Sequence, residues 1–93
     1  MRMKFSFQVG EVEKHQIEYS FNPLLGTLVV KVDGQTVKRH VRLVNEPMRE
    51  THALVVGTRE PQKIRFDRER TSTFTRRGCV FVNNRLLKVV EQN

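Results

Sequence analysis

Apolar side chains recur at every second position along most of the chain. Met3, Phe5, Phe7 and Val9 alternate with Lys4, Ser6 and Gln8, and His15, Ile17, Tyr19 and Phe21 alternate with Lys14, Gln16, Glu18 and Ser20. Leu28, Val30 and Val32 follow, and Val37, Val41 and Leu43 share one parity. The same period returns at Leu54 and Val56, Ile64 and Phe66, Val80 and Val82, and Leu87 and Val89. Successive side chains of an extended chain point to opposite faces, so this alternation predicts strands that bury one face. Val, Ile, Phe and Thr, which suit a pleated surface, are frequent in these runs.

The breaks between runs carry turn chemistry. Asp33-Gly34 lies between two apolar runs and can supply the two positive-φ residues of a tight type I′ hairpin. Asn83-Asn84 is a weaker form of the same signal. Asn22 to Gly26 reads as a longer connection, Glu60-Pro61 as a break, and Asp67 to Ser72 as a charged corner. Gly78 reads as a bulge that shifts parity between Phe74 and Val80. Asn45 to Glu50 has a cap-like Asn and a Pro, but nothing apolar recurs there at helical spacing, so it reads as a loop with at most one helical turn. No internal repeat stands out. The expectation is an all-β chain, residues 1–93 forming one antiparallel β-sandwich domain of about eight strands, with an open β-barrel as the alternative.

Size and composition narrow the chemistry. Ninety-three residues enclose one modest core. The longest apolar runs, Ala53 to Val56 and Leu28 to Val30, are too short to span a bilayer, and the start reads as a strand rather than a signal peptide, so no membrane partner is expected. The single cysteine, Cys79, excludes an internal disulfide and a multi-cysteine zinc site. Arg76 and Arg77 beside it would favour a thiolate, but a small apolar strand residue is the simpler reading. No serine sits in a nucleophile elbow. His15, His40 and His52 lack the spacing of paired metal ligands. Asp67 and Glu69 alternate with Arg68 and Arg70, which suits an ion-paired corner better than an acid–base pair. Neither a cofactor nor an enzymatic centre is expected.

The basic residues are unevenly placed. The net charge is +7, and all of the excess lies after residue 20. Lys38, His40 and Arg42 share the polar parity of one strand, Lys63 and Arg65 share that of another, and Arg76 and Arg77 flank a corner. If these strands are neighbours, Lys38, Arg42, Lys63, Arg65, Arg76 and Arg77 form a basic stripe, a candidate contact for an anion, RNA or another polyanion. Most aromatic residues share parity with the apolar positions, which leaves few to stack on bases.

Lys14-His15-Gln16-Ile17-Glu18-Tyr19, then Gly26, then Val29 to Gly34, resemble the Fas apoptotic inhibitory molecule family in motif order and spacing. The resemblance continues through Arg42-Leu43-Val44, Thr51 to Gly57, Ile64 to Asp67 and the Val80 to Asn84 hairpin, about residues 14–88 in all. It implies an antiparallel β-sandwich without a catalytic centre. It also implies a cytoplasmic protein that acts through protein contacts, as members that counter cell death and limit aggregation do. Animal members join two such units, and the tryptophan they carry near the position of His40 and Val41 is missing here. The functional expectation is a non-enzymatic protein-binding module, monomeric or weakly homodimeric through an edge strand, with polyanion or RNA binding as the alternative.

Overall fold

The computed structural model describes residues 3–41, 48–72 and 75–92. Arg42, the cap-like Asn45, Leu43 and Phe74 lie outside the described residues. Among the described residues there are eight strands: β1 (Met3–Val9), β2 (His15–Asn22), β3 (Thr27–Val32), β4 (Gln35–Val41), β5 (Arg49–Val56), β6 (Gln62–Arg70), β7 (Arg76–Val82) and β8 (Arg85–Gln92). All pairings are antiparallel, and they form two open four-stranded sheets, β1-β2-β3-β4 and β5-β6-β7-β8. Two separate sheets are the composition of a β-sandwich, whereas a barrel would need one sheet closed on itself. No described residue is helical, so among the described residues no helix is long and apolar enough to cross a membrane. The chain divides into two units, Met1–Glu46 and Pro47–Asn93.

In the first unit, alternation places Met3, Phe5, Val9, Ile17, Tyr19, Phe21, Leu28 and Val30 on one buried face. Strand register stacks them in rows, Met3 beside Phe21 and Leu28, and Phe5 beside Tyr19 and Val30. The Phe5 and Tyr19 rings stack with centroids 4.9 Å apart. Each of these large side chains contributes roughly 1.5–3 kcal/mol by leaving water.

The fourth strand reverses the expected parity. Asp33 and Gly34 form the turn, at φ of 52° and 84°. Lys31 then pairs with Thr36 but Val30 with Lys38, so Val37 is an extra, unpaired residue. This bulge turns Lys38 and His40 toward the side of Val30 and Leu28, while Val37 and Val41 are about half exposed, at 52% and 51%. Lys38 and His40 are therefore not on the open polar face where alternation puts them. An inward-pointing charge on a sheet-edge strand disfavours pairing with another chain, and a lysine stem tolerates such a place by extending its ammonium to water.

The second unit buries Val56, Ile64, Phe66 and Val80 on its inner face, and with them His52 and Arg68. Arg68 stands opposite Glu50 on β5 and Gly78 on β7. Its Nη2 donates a hydrogen bond to Glu50 Oε2, and Glu50 Oε1 lies 3.2 Å from His52 Nε2. A buried guanidinium persists only when paired in this way. Gly78 is regularly paired rather than bulged, and the bulge lies instead at Val80/Phe81, with Leu87 as the extra residue. Arg49 and Glu50 already belong to β5 rather than to a loop, and β6 runs through Arg70 rather than turning at Asp67. Alternating acids and arginines can prolong a strand when each meets an opposite charge across the ladder.

The two units repeat one local plan, although no repeat is evident from the sequence alone. Gly10 and Gly57 follow β1 and β5 with φ of 92° and 100°. Asp33-Gly34 and Asn83-Asn84 form the same two-residue turn, all four residues having positive φ. Bulges follow at Val37 and Leu87, and Lys38 and Lys88 stand opposite the fully buried Val30 and Val80. Few identities accompany this geometry, which is why alternation alone conceals it.

Two outcomes test these assignments. Val37→Thr should change urea-unfolding stability by no more than about 0.5 kcal/mol, whereas Ile64→Ala should cost about 2–5 kcal/mol. Glu50→Ala should cost about 3–5 kcal/mol by leaving Arg68 without its carboxylate, and the double variant Glu50→Met/Arg68→Leu should recover most of that loss.

Candidate functional site

The face of the second sheet opposite its buried side chains collects the chemistry. Register arranges it in rows across the strands: Arg49, Glu69, Arg77 and Glu91; then Thr51, Asp67, Cys79 and Val89; then Ala53, Arg65, Phe81 and Leu86; then Val55 and Lys63. The face thus grades from charged to apolar along the strand direction.

At the charged end, Glu69 joins two arginines. Arg77 Nη2 donates to Glu69 Oε2 at 3.1 Å, and Arg49 Nη2 donates to Oε1 at 3.4 Å. The Arg77 hydrogen bond, aided by Arg49, holds the Glu69 carboxyl below its usual range, and Glu69 in turn raises Arg77. Thr51 Oγ1 donates to Asp67 Oδ1 at 3.0 Å, and Arg65 Nε approaches Asp67 Oδ2 at 3.3 Å. Cations and anions alternate here, so much of the positive charge is met locally.

At the apolar end, Val55 is 63% and Leu86 55% exposed. The Arg65 guanidinium lies over the Phe81 ring, 4.1 Å from its centroid. Ala53, Val55, Lys63, Arg65, Phe81 and Asn84 line a shallow concavity of ≈ 310 Å³. No acid lines it, and Lys63 makes no ion pair among the described residues.

The structure brings three residues of the predicted stripe onto one face. Lys63, Arg65 and Arg77 share the open face of the second sheet. Arg76 is one residue out of phase with Arg77 and lies on the opposite side. Lys38 belongs to the first unit, on the side of Val30, and Arg42 lies outside the described residues. Sequence reading missed Val55, Phe81 and Leu86 as surface residues. One signal was present: Val55 and Phe81 are apolar at the polar parity, between Leu54 and Val56 and between Val80 and Val82.

The first unit carries a different feature at its turn. Asp33 N–H donates to Gln16 O, and Gln16 N–H donates to Asp33 Oδ1, both at 2.8 Å. Asp33 Oδ2 lies 2.6 Å from His15 Nδ1, and Glu13 Oε2 lies 2.8 Å from His15 Nε2. Both imidazole nitrogens can donate only in the protonated ring, so the two carboxylates select imidazolium. The Asp33 bond, then that of Glu13, raises the His15 pKa above its ordinary value. The Gln16 N–H, then His15, lowers that of Asp33. The second unit builds the same corner without a titrating group: Lys63 N–H donates to Asn83 Oδ1 at 3.0 Å, and Asn83 Nδ2 donates to Gln62 Oε1 at 2.7 Å. Among the described residues, no three His, Cys, Asp or Glu side chains group as metal ligands.

The signs fix a pH window. The contribution of His15 is complete below its unfolded pKa and is lost as pH rises through the higher folded value. That of Asp33 is present above its unfolded pKa and is lost as pH falls through the lower folded value. The corner is therefore tightest at mildly acidic pH, between the two. In an NMR titration, Asp33→Asn should move the His15 midpoint down toward about 6.5. An unchanged midpoint would show that the His15–Asp33 contact does not form in solution.

No protein-family model matches the chain, and it matches neither a curated protein nor a solved structure.

Proposed function

We propose that this chain is a non-enzymatic binding module that acts through protein contacts, and that the apolar end of the open face of β5–β8 makes them. The observation that carries this reading is the exposure of Val55, Leu86 and Val89 around Phe81, with Arg65 stacked on that ring. Exposed apolar side chains grouped around an aromatic–arginine pair have the make-up of the centre of a protein interface. A solvated face with no partner would favour Lys, Glu or Thr at Val55 and Leu86. The resemblance to the Fas apoptotic inhibitory molecule family points the same way, toward a cytoplasmic module without a catalytic centre.

Polyanion binding is the competing reading, and the arrangement of charge favours it less. Of its six candidate residues, Lys63, Arg65 and Arg77 share one face, and two of these three already contact Asp67 or Glu69. Counterion release by so few unengaged cations would be small.

Photo-crosslinking residues placed at Val55 and Leu86 of the full chain discriminate between the two in living cells. Adducts that resist nuclease and yield to protease are expected at both positions, and none at Leu24, an 82% exposed site of the first unit. Nuclease-sensitive adducts, or equal yields at all three positions, would refute the protein-contact assignment.

A further inference from the structure

We infer that the shallow concavity at the apolar end of β5–β8 receives an acidic, extended protein segment with a large apolar side chain. This inference rests on the protein-contact reading above and specifies the partner's chemistry.

Three observations lead to it. The floor is apolar: Ala53 and Val55 from β5 and Phe81 from β7 line it. The charge along its flank has one sign, because Lys63 and Arg65 line it and no carboxylate does. At the other end of the same face Glu69 lies between Arg49 and Arg77, whereas here Asp67 reaches Arg65 alone and Lys63 stays unpaired among the described residues, so this difference is local and does not follow from the net charge of the chain. The third observation is spacing. Lys63 and Arg65 are i and i+2 on one strand, opposite Val55 and Ala53 respectively. Their side chains leave the backbone about 6.7 Å apart, the distance between alternate residues of any extended chain. An extended segment with acids at alternate positions therefore meets both cations in register.

The two cations serve different roles. Arg65 is held by Asp67 at 3.3 Å and by the Phe81 ring at 4.1 Å, so its guanidinium is oriented before a partner arrives. Lys63 is exposed and makes no ion pair among the described residues, so its ammonium is available to a carboxylate. An apolar side chain of the segment would cover Val55 and the free part of the Phe81 ring. It would thereby exclude water from the neighbouring charge pairs and strengthen them.

The test uses the purified full chain and a fluorescein-labelled peptide, Ser-Glu-Ser-Glu-Ser-Phe-Ser, whose two acids and Phe occupy alternate positions and so share one face when extended, followed by fluorescence anisotropy. Saturable binding is expected. It should weaken by about 10-fold or more when the peptide acids become their amides, when its Phe becomes Ser, or when the protein carries Lys63→Glu. Lys63→Arg should bind within about two-fold of the parent, and so should Lys31→Glu, which changes charge on the first unit alone. Lys63 is exposed, so its variants should keep the parent circular dichroism spectrum. Failure of the acidic peptide to bind, or equal affinity for its amide form, would overturn the inference. So would a single-stranded RNA that binds more tightly and loses affinity with Lys63→Glu. If the peptide fails while crosslinks at Val55 and Leu86 persist, only the acidic chemistry is wrong. If those crosslinks vanish too, the protein-contact reading falls with it.

Discussion

The structure depends on how each unit turns its last hairpin. A two-residue turn at positive φ is tied to the second strand of its sheet by a side chain of the turn itself. Asp33 does this in the first unit and Asn83 in the second, each accepting from a strand N–H and donating its own N–H to the same residue's carbonyl. Each such bond is worth about 1 kcal/mol net, but its larger effect is geometric. It joins the turn to a strand beyond the hairpin and fixes the register of three strands together. A slip of one residue would send every buried side chain to the opposite face. The bulges at Val37 and Leu87 then displace the edge strands by one residue, which sets Lys38 and Lys88 opposite the most buried valines.

On this shared plan the units differ where their chemistry differs. The corner filled by Met3, Phe21 and Leu28 in the first unit is occupied by Glu50, Arg68 and Gly78 at the corresponding positions of the second. Three apolar side chains give way to an ion pair and a position with no side chain, and the missing bulk at Gly78 lies beside the large guanidinium. The stacked pair Phe5–Tyr19 corresponds to His52–Phe66, so the second unit buries more polar groups among fewer apolar ones. The turn differs in the opposite sense. The first unit holds its corner with the titratable His15 between two carboxylates, and the second with the neutral amides of Gln62 and Asn83. The His15 corner and the proposed binding face thus lie in different units.

The residues that misled sequence reading have specific causes. Val37, Leu87 and Val89 look like core positions because alternation is counted through the turn, yet one extra residue in the ladder inverts everything after it. Asp67 and Glu69 look like the start of a corner because charged residues are common there. They are strand residues because Arg49, Thr51, Arg65 and Arg77 lie within reach across or along the sheet. Arg76 leaves the face of Lys63, Arg65 and Arg77 for a similar reason. Arg76 and Arg77 are adjacent in sequence, but consecutive strand residues face opposite sides. Val55 and Phe81 were legible in principle, since each is apolar at a polar parity. Only their placement beside Arg65 turned two exceptions into a patch.

The sequence by itself determined that the chain is built of antiparallel strands, where its tight turns fall, and the apolar core positions of β1, β2, β3, β6 and β7. These are consequences of a two-residue period and of local backbone preferences, and neither needs distant residues to act. Tertiary structure alone decided the register of the edge strands, the pairing of Arg68 with Glu50, and the meeting of Ala53, Arg65, Phe81 and Leu86 in one row. Each of these joins residues from separate strands. A bulge or a cross-strand contact is settled by the geometry of the ladder, which no single stretch of sequence contains.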